Sequence, residues 1–295
     1  MSEVVVRPMR PEDVPFAERL SAASFLELDQ RTLPRSWPDP VERPPGRAEK
    51  WVERTLSLLR TDPGGCWVAE VDDRMVGYAT SLERELMWIL ASYGVLPDAQ
   101  GRGIGRQLLD AAMQHGRGCL RMMLSASQDP RAVRRYLLAG FRMHPQMYLT
   151  GTVDRALLPV VEKTREGSAG DIDLMNSVDR QTRGAAHLSD HEVLLRQYAL
   201  VVADAHTGSG YVYHDAFGSP QLLAATNRRT AAALLWEALA ASDPLVNVDI
   251  AHVTAANPWA VDVGVAARLD LHTAGYLALR GMKPPAPYLH HGSLL

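Results

Sequence analysis
The chain has 295 residues, 46% of them hydrophobic and 22% charged, with a formal net charge of −3; this is globular composition, and the length suffices for two ordinary domains, each with its own core. The two cysteines, Cys66 and Cys119, have no motif spacing, so neither a disulfide framework nor a metal site is indicated, and a reducing compartment is the simpler expectation. The first residues, "MSEVVVRPMRPEDV", carry charge and no continuous apolar core, which excludes a secretory signal, and no run reaches the ~20 apolar residues of a membrane span, so a cytoplasmic protein without membrane attachment is expected.

In chain order, "EVVVRPMRPEDVPFAERLSAASF" reads as a strand, a turn and a helix that Asp13 or Pro15 starts. A proline-rich loop, "LPRSWPDPVERPPG", precedes the helix "RAEKWVERTLSLLR". "GGCWVAEVDDRMVGYATSLER" reads as a hairpin turning at Asp72-Asp73, and "LMWILASYGVLP" as the next strand. The following helix carries Ile104, Leu108, Leu109, Ala112 and Met113 on one apolar stripe. Its first turn is unusual, because Gly103 and Gly105 leave the amides of residues 102 to 106 uncovered by any Cβ. Such donors, with the positive end of the helix dipole, suit an anion, most often a phosphate. "CLRMMLSAS" is a further strand, "DPRAVRRYLLAGF" a helix closed by Gly140, and "MYLTGTV" a last strand.

Strand and helix alternate, which gives a mixed α/β domain over residues 1–150, a polar linker over 151–170 and a second domain over 171–295. The second domain repeats the first: "SGYVY" echoes "VGYAT", "TNRRTAAALLWEA" lies over "QGRGIGRQLLDAA", and "NPWAV" over "DPRAV", in one order and at similar spacing. In that alignment Gly103 and Gly105 become Arg229 and Ala231, so the second turn is expected to lack the open backbone. From Arg102 to Arg142 there are eight arginines against two aspartates. Solvated helix faces are the plainer use of such charge, but its place beside the glycine turn favours a polyanionic, nucleotide-bearing ligand. Nucleic acid is not expected, since the rest of the chain is acidic and carries no recognised motif for it.

Gln100-Gly101-Arg102-Gly103-Ile104-Gly105 resembles the Q/R-x-x-G-x-G/A pattern of the GNAT acyltransferases, which bind acetyl-CoA. Val95-Leu96-Pro97 before it, the A-x-x-x-Y-x-x-x-G-F helix from Ala132 through Tyr136 to Gly140-Phe141, and "VRPMRPEDV" near the start are similar to that family in the same order. The resemblance covers residues 4 to 150, and the tandem arrangement is similar to that of two-domain members such as mycothiol synthase. It implies an α/β fold of two tandem GNAT-like domains, each a mixed central sheet flanked by helices, the second degenerate. It further implies that the amides of Arg102, Gly103, Ile104, Gly105 and Arg106, after Gln100 and Gly101, hold the CoA pyrophosphate. Main-chain groups from Tyr93 to Val95 would hold the pantetheine arm where two strands part, with Gly94 suiting a bulge there, and Tyr136 would protonate the departing thiolate.

The strand position where many members place a carboxylate base is Ile89, and nothing ionisable lies between Leu86 and Leu96 except Tyr93. A base would have to come from Glu85 or Glu83 at the strand's start, Glu85 being the tentative choice, or from Glu27, Asp29 and Asp39 near Trp37. A solvent-facing carboxylate is the plainer reading of each, and water relay would make a base dispensable. The implied activity is acetyl-CoA-dependent N-acetyl transfer to an amine of a small molecule or peptide, with a homodimer as an admissible assembly. The competing reading is a non-catalytic acyl-CoA-binding or regulatory protein. Trp37, Trp51 and Trp88 could line an acceptor pocket or simply belong to the core, and His290-His291 invite a metal or base reading for which a mobile terminus is the commoner explanation.

Overall fold
A computed structural model describes residues 3–33 and 39–295. The chain divides into two compact units, one of residues up to 124 with 128–139, the other of residues 125–127 with 140–295. In the first unit β1 (Val4–Pro8), β2 (Cys66–Val71), β3 (Arg74–Arg84), β4 (Met87–Val95) and β5 (Arg121–Ala126) lie side by side in that order. Neighbours are antiparallel except β4 and β5, which run parallel. Its helices are α1 (Val14–Thr32), α2 (Pro45–Thr61), α3 (Ile104–His115) and α4 (Pro130–Leu138). Ile104, Leu108, Leu109 and Ala112 bury the α3 stripe, and Met113 is half-buried.

Two tight turns and one bulge shape β4. Asp72 and Asp73 take φ of 50° and 59°, the left-handed pair that a two-residue hairpin turn requires, as the sequence suggests. Glu85 and Leu86 form the same kind of turn between β3 and β4, at φ 47° and 65°, with neither glycine nor asparagine to mark it. The β3–β4 register skips Ala91, and parallel pairing of β4 with β5 ends at Leu90↔Leu124. A bulge there adds twist, and β4 runs on to Val95 with no strand described on its other side. The bulge is therefore at Ala91 and not at Gly94, whose missing side chain instead makes room for the Tyr78 ring, 3.1 Å from where a Cβ would stand.

Beneath this sheet, Asp62 is 3% exposed and bonds to the buried Arg84 guanidinium at 2.9 Å and to His115 at 3.3 Å. Burial alone would raise its pKa; the His115 hydrogen bond, the Arg84 charge, the Thr61 hydroxyl and the Glu83 amide outweigh burial and hold it at about 2. A depressed carboxylate pKa contributes stability that is present above its unfolded value near ~4 and lost as pH falls toward the folded value. Asp62→Ala, which leaves Arg84 buried without this partner, is expected to cost about 3–5 kcal/mol in denaturant unfolding and to remove this acid dependence. An unchanged midpoint would show the pair to be dispensable.

The second unit repeats the element order: β7 (Thr164–Glu166), α5 (Ile172–Thr182), α6 (Asp190–Gln197), β8 (Ala199–Ala205), β9 (Gly208–His214), β10 (Pro220–Ala225), α7 (Arg228–Ala240), β11 (Val248–Thr254), α8 (Pro258–Ala266) and β12 (Asp270–Arg280). One sheet has the order β13 (Tyr288–Leu289), β10, β9, β8, β7. The other segment sets β6 (Arg142–Gly151) between β12 and β11, antiparallel to both. The sequence assigns β6 to the first domain; its contacts assign it to the second unit, because Leu149, fully buried, pairs with Leu271 on one side and Ile250 on the other. Residues expected to be linker contain β7, which pairs with β8. The expected mobile terminus is instead packed: Tyr288 to His291, Leu294 and Leu295 are each at most 4% exposed.

Candidate functional site
The site is built where β4 ends and α3 begins. Gly101 and Gly103 have φ of 78° and 83°, in the left-handed region, and no atom lies within 4 Å of where either Cβ would be. Gly103 is the residue on which α3 starts. Among the described residues the amides of 101–105 have no acceptor, whereas Arg106 N–H donates to the Gly103 carbonyl at 3.1 Å. The open run is thus 101–105 rather than 102–106. Open N–H donors at a helix start suit an anion even without a charged side chain. Arg102 is exposed beside them, the Ile104 side chain is buried as an anchor, and the Arg106 guanidinium reaches Asp110 at 3.4 Å.

Gly105 serves a different purpose from the other two glycines. A Cβ there would collide with the Tyr93 hydroxyl, so the glycine is the socket that seats this tyrosine against α3. Burial pushes the Tyr93 phenol up to about 12, with the Arg135 charge opposing. The Gln100 side chain is turned inward as well: its Nε2 donates to the Val95 carbonyl at 2.9 Å and fixes the exit from β4.

Tyr136 on α4 meets Tyr93 edge to face, with ring centroids 6.3 Å apart. This contact brings α4 to the part of β4 that has left β5. Tyr136 is 5% exposed, and burial first, then Tyr93, Tyr78 and Asp129, push its phenol well above the ordinary value. Asp129 starts α4 by accepting from Arg131 N–H at 2.8 Å and also binds Arg31 at 3.0 Å. Burial raises its pKa, but the Arg131 hydrogen bonds and the Arg31 charge bring it below the usual carboxylate value.

The structure does not bring Glu85 to this group. It is exposed in the β3–β4 turn, eight residues from Tyr93 along the strand, about 26 Å at the ordinary rise of ~3.3 Å per residue. Of the other carboxylates considered, Glu27 pairs with Arg31 at 3.4 Å, and burial raises the Asp29 carboxyl while Arg47 opposes it. Trp51 and Trp88 are core residues, Trp88 donating to the Ala112 carbonyl at 3.0 Å; Trp37 lies outside the described residues.

The corresponding turn of the second half is closed by its own side chain. Asn227 accepts from Thr230 N–H at 2.9 Å and donates to the Thr207 carbonyl at 3.0 Å. The second half also holds a cluster that sequence inspection missed: Asp179, His187 and His191, all fully buried. Asp179 accepts from His187 Nδ1 at 2.8 Å, His191 Nε2 at 3.1 Å and Tyr211 at 2.5 Å, which hold it far below the carboxylate range against its burial. Burial and the Arg183 charge lower the His187 pKa to about 4 despite Asp179. The only signal in sequence was His-x-x-x-His at 187 and 191, with Asp179 eight residues earlier on another helix.

No helix among the described residues is long and apolar enough to cross a membrane. The acetyltransferase (GNAT) family profile matches residues 22–141. A Pyrococcus horikoshii protein assigned to the acetyltransferases has a similar fold, at TM-score 0.74 and 18% identity over 99% of this chain and 95% of that one. So do a GCN5-related N-acetyltransferase of Sphaerobacter thermophilus, at 0.60 and 17% over 94% and 95%, and a tandem GNAT protein from the clavulanic acid biosynthesis pathway, at 0.59 and 16% over 94% and 98%. No curated protein matches the chain in sequence. Residues 22–141 match the GNAT acetyltransferase family, and the chain as a whole has the fold of tandem GNAT proteins.

Proposed function
We propose that the first half is an acetyl-CoA-dependent N-acetyltransferase that moves an acetyl group directly to an amine of a small molecule or peptide. The observation that carries this reading is the convergence of five open amides at the start of α3, an unpaired edge of β4 and the buried Tyr136. These residues fit acetyl-CoA. A pyrophosphate needs several convergent N–H donors with no Cβ in its way, which residues 101–105 offer; an amide-bearing arm needs a strand edge, which β4 offers past Leu90.

When bound, acetyl-CoA supplies the acetyl group as a thioester, activated toward an amine. The chain's part is to bind, align and hold a proton. Main-chain groups of Tyr93, on the side of β4 turned away from β3, orient the arm; those of Gly94 face β3, and the Val95 carbonyl is taken by Gln100. Tyr136 keeps its proton throughout the neutral range, as a donor toward a leaving sulfur must. No carboxylate stands on β4, so the acceptor amine gives its proton to water, and alignment carries most of the rate.

The same lack of a strand carboxylate favours a second reading, a non-catalytic acyl-CoA-binding or regulatory protein. Free-thiol release from acetyl-CoA across a panel of amines separates the two. Amine-dependent release is expected, with a calorimetric CoA stoichiometry near one. Binding without turnover on any amine would favour the second reading, and failure to bind CoA would sink both.

A further inference from the structure
The two halves differ most where their fourth strands face an open side. In the first half β4 passes Leu90 with no strand among the described residues on that edge. In the second half the edge of β10, the counterpart of β4, is taken by β13: Leu223 pairs with Leu289 and Ala224 with Tyr288, antiparallel, and Ala225 N–H donates to the Pro287 carbonyl at 3.3 Å. Residues 287–289 therefore lie on β10 as an added strand, which is how many receptors read an extended peptide.

The side chains around it treat it as a ligand. Asn257, 1% exposed at the start of α8, donates to the Pro285 carbonyl at 3.0 Å and accepts from Tyr288 N–H at 2.9 Å. Tyr288 and Leu289 are each 2% exposed. Farther on, Arg183 donates to the Leu294 carbonyl at 3.4 Å and to the Leu295 carbonyl, and His187 Nε2 lies 3.1 Å from the same Leu295 oxygen. His187 is in turn held by Asp179 through Nδ1, which leaves Nε2 as an acceptor within 3.4 Å of the Tyr288 hydroxyl, so the buried Asp–His cluster is part of the seat for Tyr288. Between β12 and this segment, Gly281 and Lys283 are exposed.

We propose that the cleft of the second half is a peptide-binding site whose resident ligand is residues 285–295. Its recognition elements are the β10 edge and Asn257 for the backbone, a buried seat for the Tyr288-Leu289 pair, and Arg183 for the Leu294 and Leu295 carbonyls. The ligand class is an extended peptide carrying an aromatic-aliphatic pair followed farther on by a pair of leucines. The turn capped by Asn227 leaves no phosphate cradle beside it, so peptide replaces nucleotide in this half. This proposal concerns only the second half and stands independently of any activity of the first.

The test uses the full chain with a protease recognition sequence inserted after the exposed Lys283 and cut in the folded protein. The freed peptide is expected to co-elute with the body in gel filtration, to exchange with a labelled synthetic peptide of residues 284–295, and to be indifferent to excess CoA. Asn257→Ala is expected to speed its release about tenfold or more, the effect of losing two hydrogen bonds of ordinary strength; Arg183→Gln should act in the same direction. Loss of the peptide at the first filtration with the body's circular dichroism unchanged would overturn the proposal, as would its displacement by CoA. Should the cut protein precipitate, hydrogen exchange on the intact wild-type chain decides: Tyr288 and Ala225 amides as protected as those of β9 support the site, and exchange at the free rate refutes it.

Discussion
Tyr136→Phe is expected to lower kcat by ~10²-fold or more, the range in which a positioned acid or base acts, while CoA affinity stays within a few-fold. The ring is buried against Tyr93, and phenylalanine fills the same volume, so packing is kept and only the hydroxyl is removed. Because burial and its neighbours push the phenol up from the ordinary value of ~10, Tyr136 holds its proton through the neutral and mildly alkaline range. The wild-type rate should therefore rise with pH as the acceptor deprotonates, with no falling limb from Tyr136 below about pH 10. Steady-state rates, CoA titration and a melting curve on this variant decide the matter. A kcat within a few-fold of wild type, with only the melting temperature changed, would make the residue an anchor.

Gly103→Glu is expected to weaken CoA binding by ~100-fold or more, because it sets a carboxylate among the donors to which the proposal assigns a phosphate; two like charges ~4 Å apart repel by several kcal/mol at an intermediate dielectric. The control is Gly103→Ala. Its Cβ would meet no atom within 4 Å, so its cost is the left-handed backbone at φ 83°, roughly 1–2 kcal/mol. Calorimetric titration should then rank wild type first, alanine within about tenfold and glutamate far below. Equal losses in the two variants would mean that backbone conformation, and not charge, sets the affinity, and would remove the anion site from residues 101–105.

The open turn was legible because left-handed positions leave a mark: glycine at 101 and 103 is the cheap solution. The hairpin at Asp72-Asp73 was legible for the same reason, since aspartate tolerates that region. Glu85-Leu86 makes an equivalent turn with residues that carry no such preference, so a turn residue could pass for a strand-end base. The bulge fell at Ala91 rather than Gly94 because a bulge is set by register against a neighbouring strand, which no local pattern records. Long-range partners account for the remaining differences. The segment at 288–295 looks polar and loose in isolation; it is buried because Arg183 and Asn257, remote in sequence, satisfy its backbone. Likewise the alternation of "MYLTGTV" announced a strand but could not say that β11 and β12 would be its neighbours.

That last pairing bears on how the chain is made. Strand β6 leaves the ribosome about a hundred residues ahead of β11, and β12 comes later still. At synthesis rates of ~5–20 residues per second, β6 waits on the order of ten seconds with both hydrogen-bonding edges bare. Met147 and Leu149 sit on those edges, so the interval is when the nascent chain is most open to pairing with a neighbouring polysome's product. Slow codons between β6 and β11 would lengthen that interval, and chaperone capture during elongation would shield it.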